Sequence, residues 1–267
     1  MMDNHISSGE ENMIPRRILV VDDEESIRFT FGVFLGDAGY AVDTAEDLAT
    51  AVNRLETTRY DVLFLDILLG RDSGITVLEA CRNINPHCSV IMVTGAPEIK
   101  TAADAVRLGA FDYVTKPVHQ DELLRLAARG IEHKELLDQQ ETLNLRMMAV
   151  FKSIPEGILV FDRDQNLVEM NSAASNILGC EHQIVGQNLA TLVARAECPA
   201  LNILSDLIET RCTGEIFNFK TPNKQGTPLN MTVSMAPLTS GSGEENGLVL
   251  VLHDESLPVT NIVETGP

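Results

Sequence analysis

The sequence is poor in aromatic residues and cysteines and has no tryptophan. Aromatic residues make up 4% of its 267 positions, and there are five cysteines, an odd number. No two cysteines form a Cys-x-x-Cys pair, so neither a disulfide framework nor a zinc ribbon is indicated. No apolar run approaches the roughly 18 residues of a membrane helix, and no apolar signal segment opens the chain. These absences favour a cytoplasmic protein that uses its thiols as small core residues.

Basic residues are also scarce. Twenty lysines and arginines stand against 39 acidic residues, which gives a formal net charge of −19. The acidic excess is −6 over residues 15–118 and −7 over residues 151–255. A surface that binds nucleic acid needs a basic patch, and no segment is basic. We therefore expect neither nucleic acid nor a membrane among the partners.

Repeats of strand and helix dominate the first half of the chain, after a polar leader at residues 1–14. The run Val62–Asp66 (VLFLD) is apolar without alternation, as in a strand buried on both faces of a parallel sheet. Similar strands are predicted at residues 17–21, 40–43, 90–94 and 111–115, each followed by a helical pattern. This order predicts a five-stranded, doubly wound α/β domain at residues 15–120.

Polar residues with related chemistry end four of these strands. They are Asp22 and Asp23, Asp66, Thr94 and Lys116. Carboxyl ends of parallel strands meet at one edge of the sheet, where ligands bind. Three carboxylates repel one another, which Mg²⁺ would relieve, and a carboxylate beside such an ion can be a nucleophile. An ammonium and a hydroxyl would neutralise an arriving phosphoryl group, so the pattern predicts a site that accepts and holds one.

Four short motifs in the first half of the chain jointly carry a resemblance to a known family. They are Asp22-Asp23, Asp66 followed by Gly74, Val93-Thr94-Gly95-Ala96 and Tyr113-Val-Thr-Lys-Pro117. With them, residues 16–118 resemble the receiver domain of two-component response regulators, which has a flavodoxin-like fold. The resemblance implies a phosphorelay protein that a histidine kinase phosphorylates. It also implies that the chain is not an enzyme that turns over an external substrate.

The resemblance implies roles for individual residues around the acceptor. Asp66 would be the phospho-acceptor, and Thr94 and Lys116 would contact the phosphoryl group. Tyr113 would be the aromatic switch residue of the family. A half-buried aromatic residue without a switching role is the alternative for Tyr113.

The resemblance also implies a metal site. Asp23, Asp66 and the main-chain carbonyl of Leu68 would bind Mg²⁺ directly, and Asp22 would act largely through water. Many receivers have a proline four residues after the acceptor, where this sequence has Gly70. We expect Gly70 to loosen the loop and to alter the lifetime of the phosphoryl group.

A helical connector is predicted at residues 121–150, which are rich in helix formers and contain no proline. Such a helix would span about 45 Å. Leu136, Leu143 and Val150 recur every seven residues, but polar residues interrupt the heptads. A contact between two protomers and a solvated connector are both compatible with this pattern.

The second half of the chain has another order of elements, namely two strands, short helices and three strands. This order predicts an α+β domain with an antiparallel sheet at residues 151–255, followed by a tail at 256–267. Its motifs are Ile154-Pro-Glu-Gly-Ile158, Asn171-Ser-Ala-Ala174, Leu178-Gly179, Ile184-Val-Gly186 and Val251-Leu-His-Asp254. Their order resembles that of a PAS domain.

PAS domains bind small ligands or dimerise, and the sequence does not identify a ligand. His182 and His253 are the histidines that a haem would need, with surface histidine as the alternative. Cys180 lacks the motif of flavin-binding photosensors, so a core or loop thiol is expected. The tail is short for a separate output domain, so we expect output through a downstream protein or a homodimer.

Two other functions compete with this interpretation. In the first, the second half is a ligand-sensing PAS module and the receiver serves mainly for docking. In the second, the chain is a hydrolase of the haloacid dehalogenase type. Those enzymes have a second Asp two residues after the nucleophile, where this sequence has Leu68.

Overall fold

The computed structural model of the chain describes residues 15–95, 99–180, 182–195, 199–210, 216–222 and 228–255. The chain divides into two compact units, Met1–Leu143 and Asn144–Pro267. None of the helices in the described ranges combines the length with the apolar character that crossing a bilayer demands.

The first unit contains a parallel sheet. In chain order its elements are β1 (Arg17–Val21), α1 (Glu25–Asp37), β2 (Ala41–Ala45), α2 (Leu48–Thr57), β3 (Val62–Asp66), β4 (Leu68–Leu69), β5 (Asp72–Ser73), α3 (Gly74–Ile84), β6 (Ser89–Thr94), α4 (Ile99–Arg107), β7 (Asp112–Thr115) and α5 (Gln120–Ser153). The five-stranded sheet has the order β2-β1-β3-β6-β7, and neighbouring strands are parallel. The short strands β4 and β5 pair with each other. The predicted doubly wound α/β sheet is confirmed.

Both faces of this sheet are covered. On one face, Leu63 and Leu65 of β3 pack in a cluster that includes Leu78 of α3. On the other face, Val62 and Phe64 pack in a cluster with residues of α1 and α5. Because successive side chains of a strand point to opposite faces, a strand covered on both sides must be apolar throughout. This explains the unbroken apolar run that ends on Asp66.

Helix α5 is 34 residues long and begins on the first unit. Its residues Leu123, Leu126, Ala127 and Ile131 are buried. Further along, the Lys134 ammonium lies 3.4 Å from Asp61, and His87 Nδ1 lies 2.8 Å from Asp138. The seven-residue positions Leu136, Leu143 and Val150 are all exposed. A contact between two protomers at these positions stays a prediction.

The second unit contains an antiparallel sheet with helices on one face. Its elements are β8 (Gly157–Asp162), β9 (Leu167–Met170), α6 (Ser172–Leu178), a 3₁₀ turn (His182–Ile184), α7 (Leu189–Ala194), α8 (Pro199–Thr210), β10 (Ile216–Pro222), β11 (Pro228–Thr239) and β12 (Glu245–Asp254). The sheet order is β10-β11-β12-β8-β9. In β8, Leu159 and Phe161 are buried while Ile158 and Val160 are half-buried, so one face of the sheet meets the core. The predicted α+β fold is confirmed.

Asn171 connects several parts of the second unit. Its Oδ1 accepts hydrogen bonds of 2.9 Å from the amides of Ile158 and Ala174, and the second of these caps α6. Its Nδ2 donates to the carbonyl oxygens of Phe151 at 3.2 Å and Glu156 at 2.9 Å. The side chain is 1% exposed and uses both its donors and its acceptor. It therefore holds the last residues of α5 against the start of β8.

Candidate functional site

The candidate site lies at the carboxyl edge of the parallel sheet. Asp22 follows β1, Asp66 is the last residue of β3, Thr94 is the last residue of β6, and Lys116 follows β7. Asp22, Asp66 and Thr94 are 2%, 6% and 1% exposed. Side chains with formal charge are rarely buried to this extent unless they are paired. The partner of the two carboxylates is Lys116.

The Lys116 ammonium contacts three carboxylates. Its Nζ lies 2.7 Å from Asp66 Oδ2, 2.8 Å from Asp22 Oδ2 and 3.2 Å from Glu24 Oε1. Burial alone would lower the pKa of Lys116, but hydrogen bonds to Asp22 and Asp66 outweigh burial and raise this pKa. Burial raises the pKa of Asp22, against the opposing effect of the ammonium. Lys116 is therefore the charged counter-ion of the site, and Glu24 is a contact that sequence reasoning missed.

Three of the predicted residues form an acidic cluster. Asp22, Asp23 and Asp66 each offer a carboxylate oxygen, and these oxygens lie within 4.8 Å of one another. Carboxylate oxygens are the ligands that Mg²⁺ prefers, and it usually keeps several water molecules. Asp23 is exposed, so solvent reaches the cluster from one side. The donor chemistry and the spacing fit a hard divalent cation.

The loop after Asp66 packs closely against this cluster. The Leu68 amide donates to Asp66 Oδ1 at 3.2 Å, so the main chain of Leu68 lies beside Asp66, although Leu68 as a whole is 60% exposed. Gly70 has a φ of +60°, which favours glycine, and its amide donates to Asp23 Oδ2 at 3.1 Å. A Cβ on Gly74 would meet the carbonyl oxygen of Asp66 at 2.0 Å. Gly74 thus allows α3 to start directly against the end of β3.

The Gly70 amide contacts a carboxylate of the site, a role that the sequence did not predict, while the loosening of the loop stays a prediction. A proline has no amide hydrogen and could not make this contact. The altered lifetime of the phosphoryl group stays a prediction.

Thr94 and Tyr113 lie on the neighbouring strands β6 and β7. The Thr94 carbonyl accepts a 2.7 Å hydrogen bond from the Lys116 amide, which links the two strand ends. Tyr113 is half-buried, and its hydroxyl oxygen is buried without a hydrogen-bond partner among the described residues. A buried hydroxyl without a partner is costly and usually has a reason.

The second unit offers weaker candidates. His253 is exposed, and nothing is described of the His182 side chain. Cys180 is buried, and its Sγ lies 3.7 Å from the Leu178 carbonyl oxygen, as expected of a core residue. A cleft of about 330 Å³ is lined by residues that include Asp162, Arg163 and Leu248.

Comparisons with known proteins agree on the identity of both units. Residues 18–128 match the response regulator receiver domain family, and residues 155–256 match the PAS domain family. The alginate biosynthesis transcriptional regulatory protein AlgB of Pseudomonas putida is 42% identical over 138 residues, 52% of this chain and 30% of that protein. The nitrogen assimilation regulatory protein NtrX of Azorhizobium caulinodans is 35% identical over 117 residues, 43% of this chain and 26% of that protein.

Among solved structures, the receiver domain of NtrX from Brucella abortus is 37% identical, with a TM-score of 0.41, over 43% of this chain and 98% of that chain. The chain spans less than a third of the length of the two curated relatives. AlgB is named a transcriptional regulatory protein, and this chain matches only part of it. The absence of nucleic acid from the partners of this chain stays a prediction. The two family matches establish that the chain contains a response regulator receiver domain followed by a PAS domain.

Proposed function

We propose that this protein is a phosphorelay response regulator that accepts a phosphoryl group on Asp66 from a histidine kinase. The observation that carries the proposal is the ion cluster around Asp66. The Asp66 side chain is 7% exposed, and its Oδ2 lies 2.7 Å from the ammonium of Lys116. A carboxylate held at a strand end beside a lysine can act as a nucleophile, because the ammonium offsets the negative charge of the phosphoryl group that it receives.

The transfer forms one bond and breaks one. A carboxylate oxygen of Asp66 bonds to the phosphorus while the bond from phosphorus to the kinase imidazole nitrogen breaks, and the departing imidazole takes up a proton. Lys116 offsets the charge on the phosphoryl oxygens, and the Thr94 hydroxyl donates to one of them. The product is an acyl phosphate on the receiver and not a released compound. The protein is thus a phospho-acceptor rather than a turnover enzyme.

Mg²⁺ is the proposed cofactor, since receiver domains generally use it for phosphorylation. Asp23, Asp66 and the main-chain carbonyl of Leu68 would hold the ion, with Asp22 acting largely through water. When bound, the ion supplies positive charge to the phosphoryl oxygens during transfer. One carboxylate oxygen from each of the three aspartates lies within 4.8 Å of the other two, and this spacing supports the assignment.

The buried hydroxyl of Tyr113 supports a switching role. On phosphorylation, Thr94 turns toward the phosphoryl group, and the Tyr113 ring moves inward, where its hydroxyl gains a hydrogen-bond partner. This movement alters the surface next to α5, which is the proposed route of output. The output passes to a downstream protein or to pairing of PAS domains in a homodimer. We place the protein in the cytoplasm, with neither nucleic acid nor a membrane as a direct partner.

Intact-mass spectrometry tests the proposal. The full chain is incubated with Mg²⁺ and a small phosphodonor, beside the variants Asp66→Asn and Asp72→Asn. Asp72 is a matched control, because it is an exposed aspartate six residues further along the chain and outside the cluster. We expect one phosphoryl group on the wild type and on Asp72→Asn, and none on Asp66→Asn.

A wild type that stays unmodified, under conditions that modify a known receiver, would refute the proposal. The receiver would then be a docking domain, and ligand sensing by the PAS domain would become the leading function. Modification of Asp66→Asn to the level of the wild type would place the acceptor elsewhere.

A further inference from the structure

Arg28 makes contacts in the first unit that the function proposed above does not use. It is the fourth residue of α1, and its side chain is 14% exposed. One guanidinium nitrogen, Nη1, donates to the main-chain carbonyl of Asp22 at 2.7 Å and to that of Asp23 at 2.9 Å. The other, Nη2, lies 3.5 Å from a carboxylate oxygen of Glu46, which is 69% exposed. Arg28 is therefore hydrogen-bonded to the main chain of both Asp22 and Asp23.

The position of Arg28 is electrostatically unfavourable for the helix alone. A cation close to the N-terminus of a helix opposes the helix dipole. The N-cap residue Glu24 makes no side-chain capping hydrogen bond that would compensate. The exposed pair with Glu46 is screened by water and contributes little. The carbonyl oxygens of Asp22 and Asp23 remain as the contacts that account for the burial of this guanidinium.

These two carbonyls matter because of the backbone shape at the acidic pair. In an extended strand, successive side chains and successive carbonyls point in opposite directions. Asp22 and Asp23 instead both bring a carboxylate oxygen within 4.8 Å of the Asp66 carboxylate. The chain bends at Asp23. The carbonyl oxygens of Asp22 and Asp23 both accept a hydrogen bond from Arg28 Nη1, so they face the same guanidinium nitrogen. A single guanidinium nitrogen between them fixes that bend.

We propose that Arg28 is a positioning residue for the divalent-cation site, which it supports by holding the bend that aims Asp22 and Asp23 at Asp66. The proposal rests on the metal site of the function proposed above. Outer groups that orient metal ligands typically change the affinity for the ion by about 10–100-fold when they are removed. Arg28 orients the ligands through their main chain, so we expect its removal to weaken ion binding by a factor in the same range.

The test is isothermal titration calorimetry of the full chain with MgCl₂. The variant Arg28→Met keeps the apolar stem and removes the donors, and Arg28→Lys keeps the charge but not the planar fork. Glu46→Gln is the matched control, because it removes the exposed ion pair and leaves the contacts to the carbonyls intact. We expect the Kd for Mg²⁺ to rise about tenfold in Arg28→Met and less in Arg28→Lys. It should stay within about twofold of the wild type in Glu46→Gln.

A second measurement separates positioning from a general loss of structure. The rate of phosphorylation by a small phosphodonor is followed against Mg²⁺ concentration, and unfolding is followed in EDTA. In Arg28→Met the Mg²⁺ concentration for half-maximal rate should rise, while the rate at saturating Mg²⁺ recovers to within about twofold of the wild type. If this variant does not fold, Arg28→Lys is judged by the same two quantities.

Three results would overturn the inference. Equal Mg²⁺ affinities in the folded Arg28 variant and in Glu46→Gln would show that Arg28 does not support the site, while the proposed function stands. A rate that stays low at saturating Mg²⁺ would assign Arg28 a role outside ion binding. A wild type that does not bind Mg²⁺ would refute both the metal site and the role of Arg28.

Discussion

Replacing Lys116 with methionine should destabilise the receiver in the absence of Mg²⁺ and make its stability depend strongly on that ion. The ammonium is the direct counter-ion of Asp22 and Asp66, whose side chains are 3% and 7% exposed. Lys116→Met keeps most of the apolar stem and removes only the charge. The two carboxylates would then be left buried beside each other and beside Asp23.

The size of the loss follows from these exposures. Removing one partner of a buried ion pair costs roughly 3–5 kcal/mol, because the remaining charge stays buried without compensation. The third contact, to Glu24, adds little because that side chain is 59% exposed. Lys116 itself is 13% exposed, so we take the lower end, about 3 kcal/mol. This loss corresponds to a fall of the receiver unfolding temperature on the order of 10 °C.

Differential scanning calorimetry of the full chain measures this, since the sequence has no tryptophan to report unfolding by fluorescence. Mg²⁺ at a hundred times its Kd stabilises a protein by about 2.7 kcal/mol. At one common Mg²⁺ concentration, set at a hundred times the wild-type Kd, the gain should be larger in Lys116→Met than in the wild type, because no ammonium competes for the carboxylates and the Kd of the variant is lower. Lys134→Met is the matched control, since Lys134 is 16% exposed and lies 3.4 Å from Asp61, outside the site. Equal gains from Mg²⁺ in the wild type and both variants would refute the reasoning.

Three further predictions concern other parts of the molecule. Burial and a hydrogen bond to Asp43 raise the pKa of Tyr60 to about 12. The free energy of unfolding of the receiver should therefore fall as pH rises from about 10 through 12. When unfolding is followed against pH, this free energy should fall less steeply over the same range in Tyr60→Phe. Gly70→Pro should weaken Mg²⁺ binding in calorimetry more than Gly70→Ala, because only proline removes the amide that contacts Asp23; equal effects would contradict this. Asn171→Ala should lower the free energy of unfolding of the PAS unit in urea by about 2–4 kcal/mol, since it leaves several buried main-chain groups without a partner; a loss below about 1 kcal/mol would contradict the role given to this side chain.

The fold of the first unit could be predicted because its determinants are local. The run Val62–Asp66 identified a doubly covered strand, and the alternation of strands and helices allowed few topologies. The meeting of Asp66 and Lys116 followed from the rule that the carboxyl ends of parallel strands lie at one edge. The distance of 2.7 Å between Lys116 Nζ and Asp66 Oδ2 agrees with that expectation.

Other contacts depend on backbone details that the sequence pattern does not carry. From the sequence, Arg28 is indistinguishable from other polar residues on the exposed side of a helix. The bend at Asp23 brings the carbonyl oxygens of Asp22 and Asp23 within hydrogen-bond distance of its guanidinium group. Glu24 lies at the N-cap position of α1 without a side-chain capping hydrogen bond, and its carboxylate contacts Lys116. The expectation for Gly70 concerned only the looseness of its loop, and it did not include the contact of the Gly70 amide with Asp23. Such contacts depend on φ and ψ angles at single positions, on which hydrophobic periodicity gives no information.

The contact of Lys116 with the acidic cluster also bears on which dissolved ions the site selects. Leaving aside the exposed Glu24, the three carboxylates of the cluster and one tethered ammonium leave two formal negative charges. One divalent ion neutralises that charge, whereas a potassium or sodium ion neutralises half of it and must compete with an ammonium already in contact. Lys116 thus occupies the place that a monovalent ion would otherwise take. The lysine should let the receiver ignore the abundant monovalent salt of its surroundings and respond to the scarcer divalent ion.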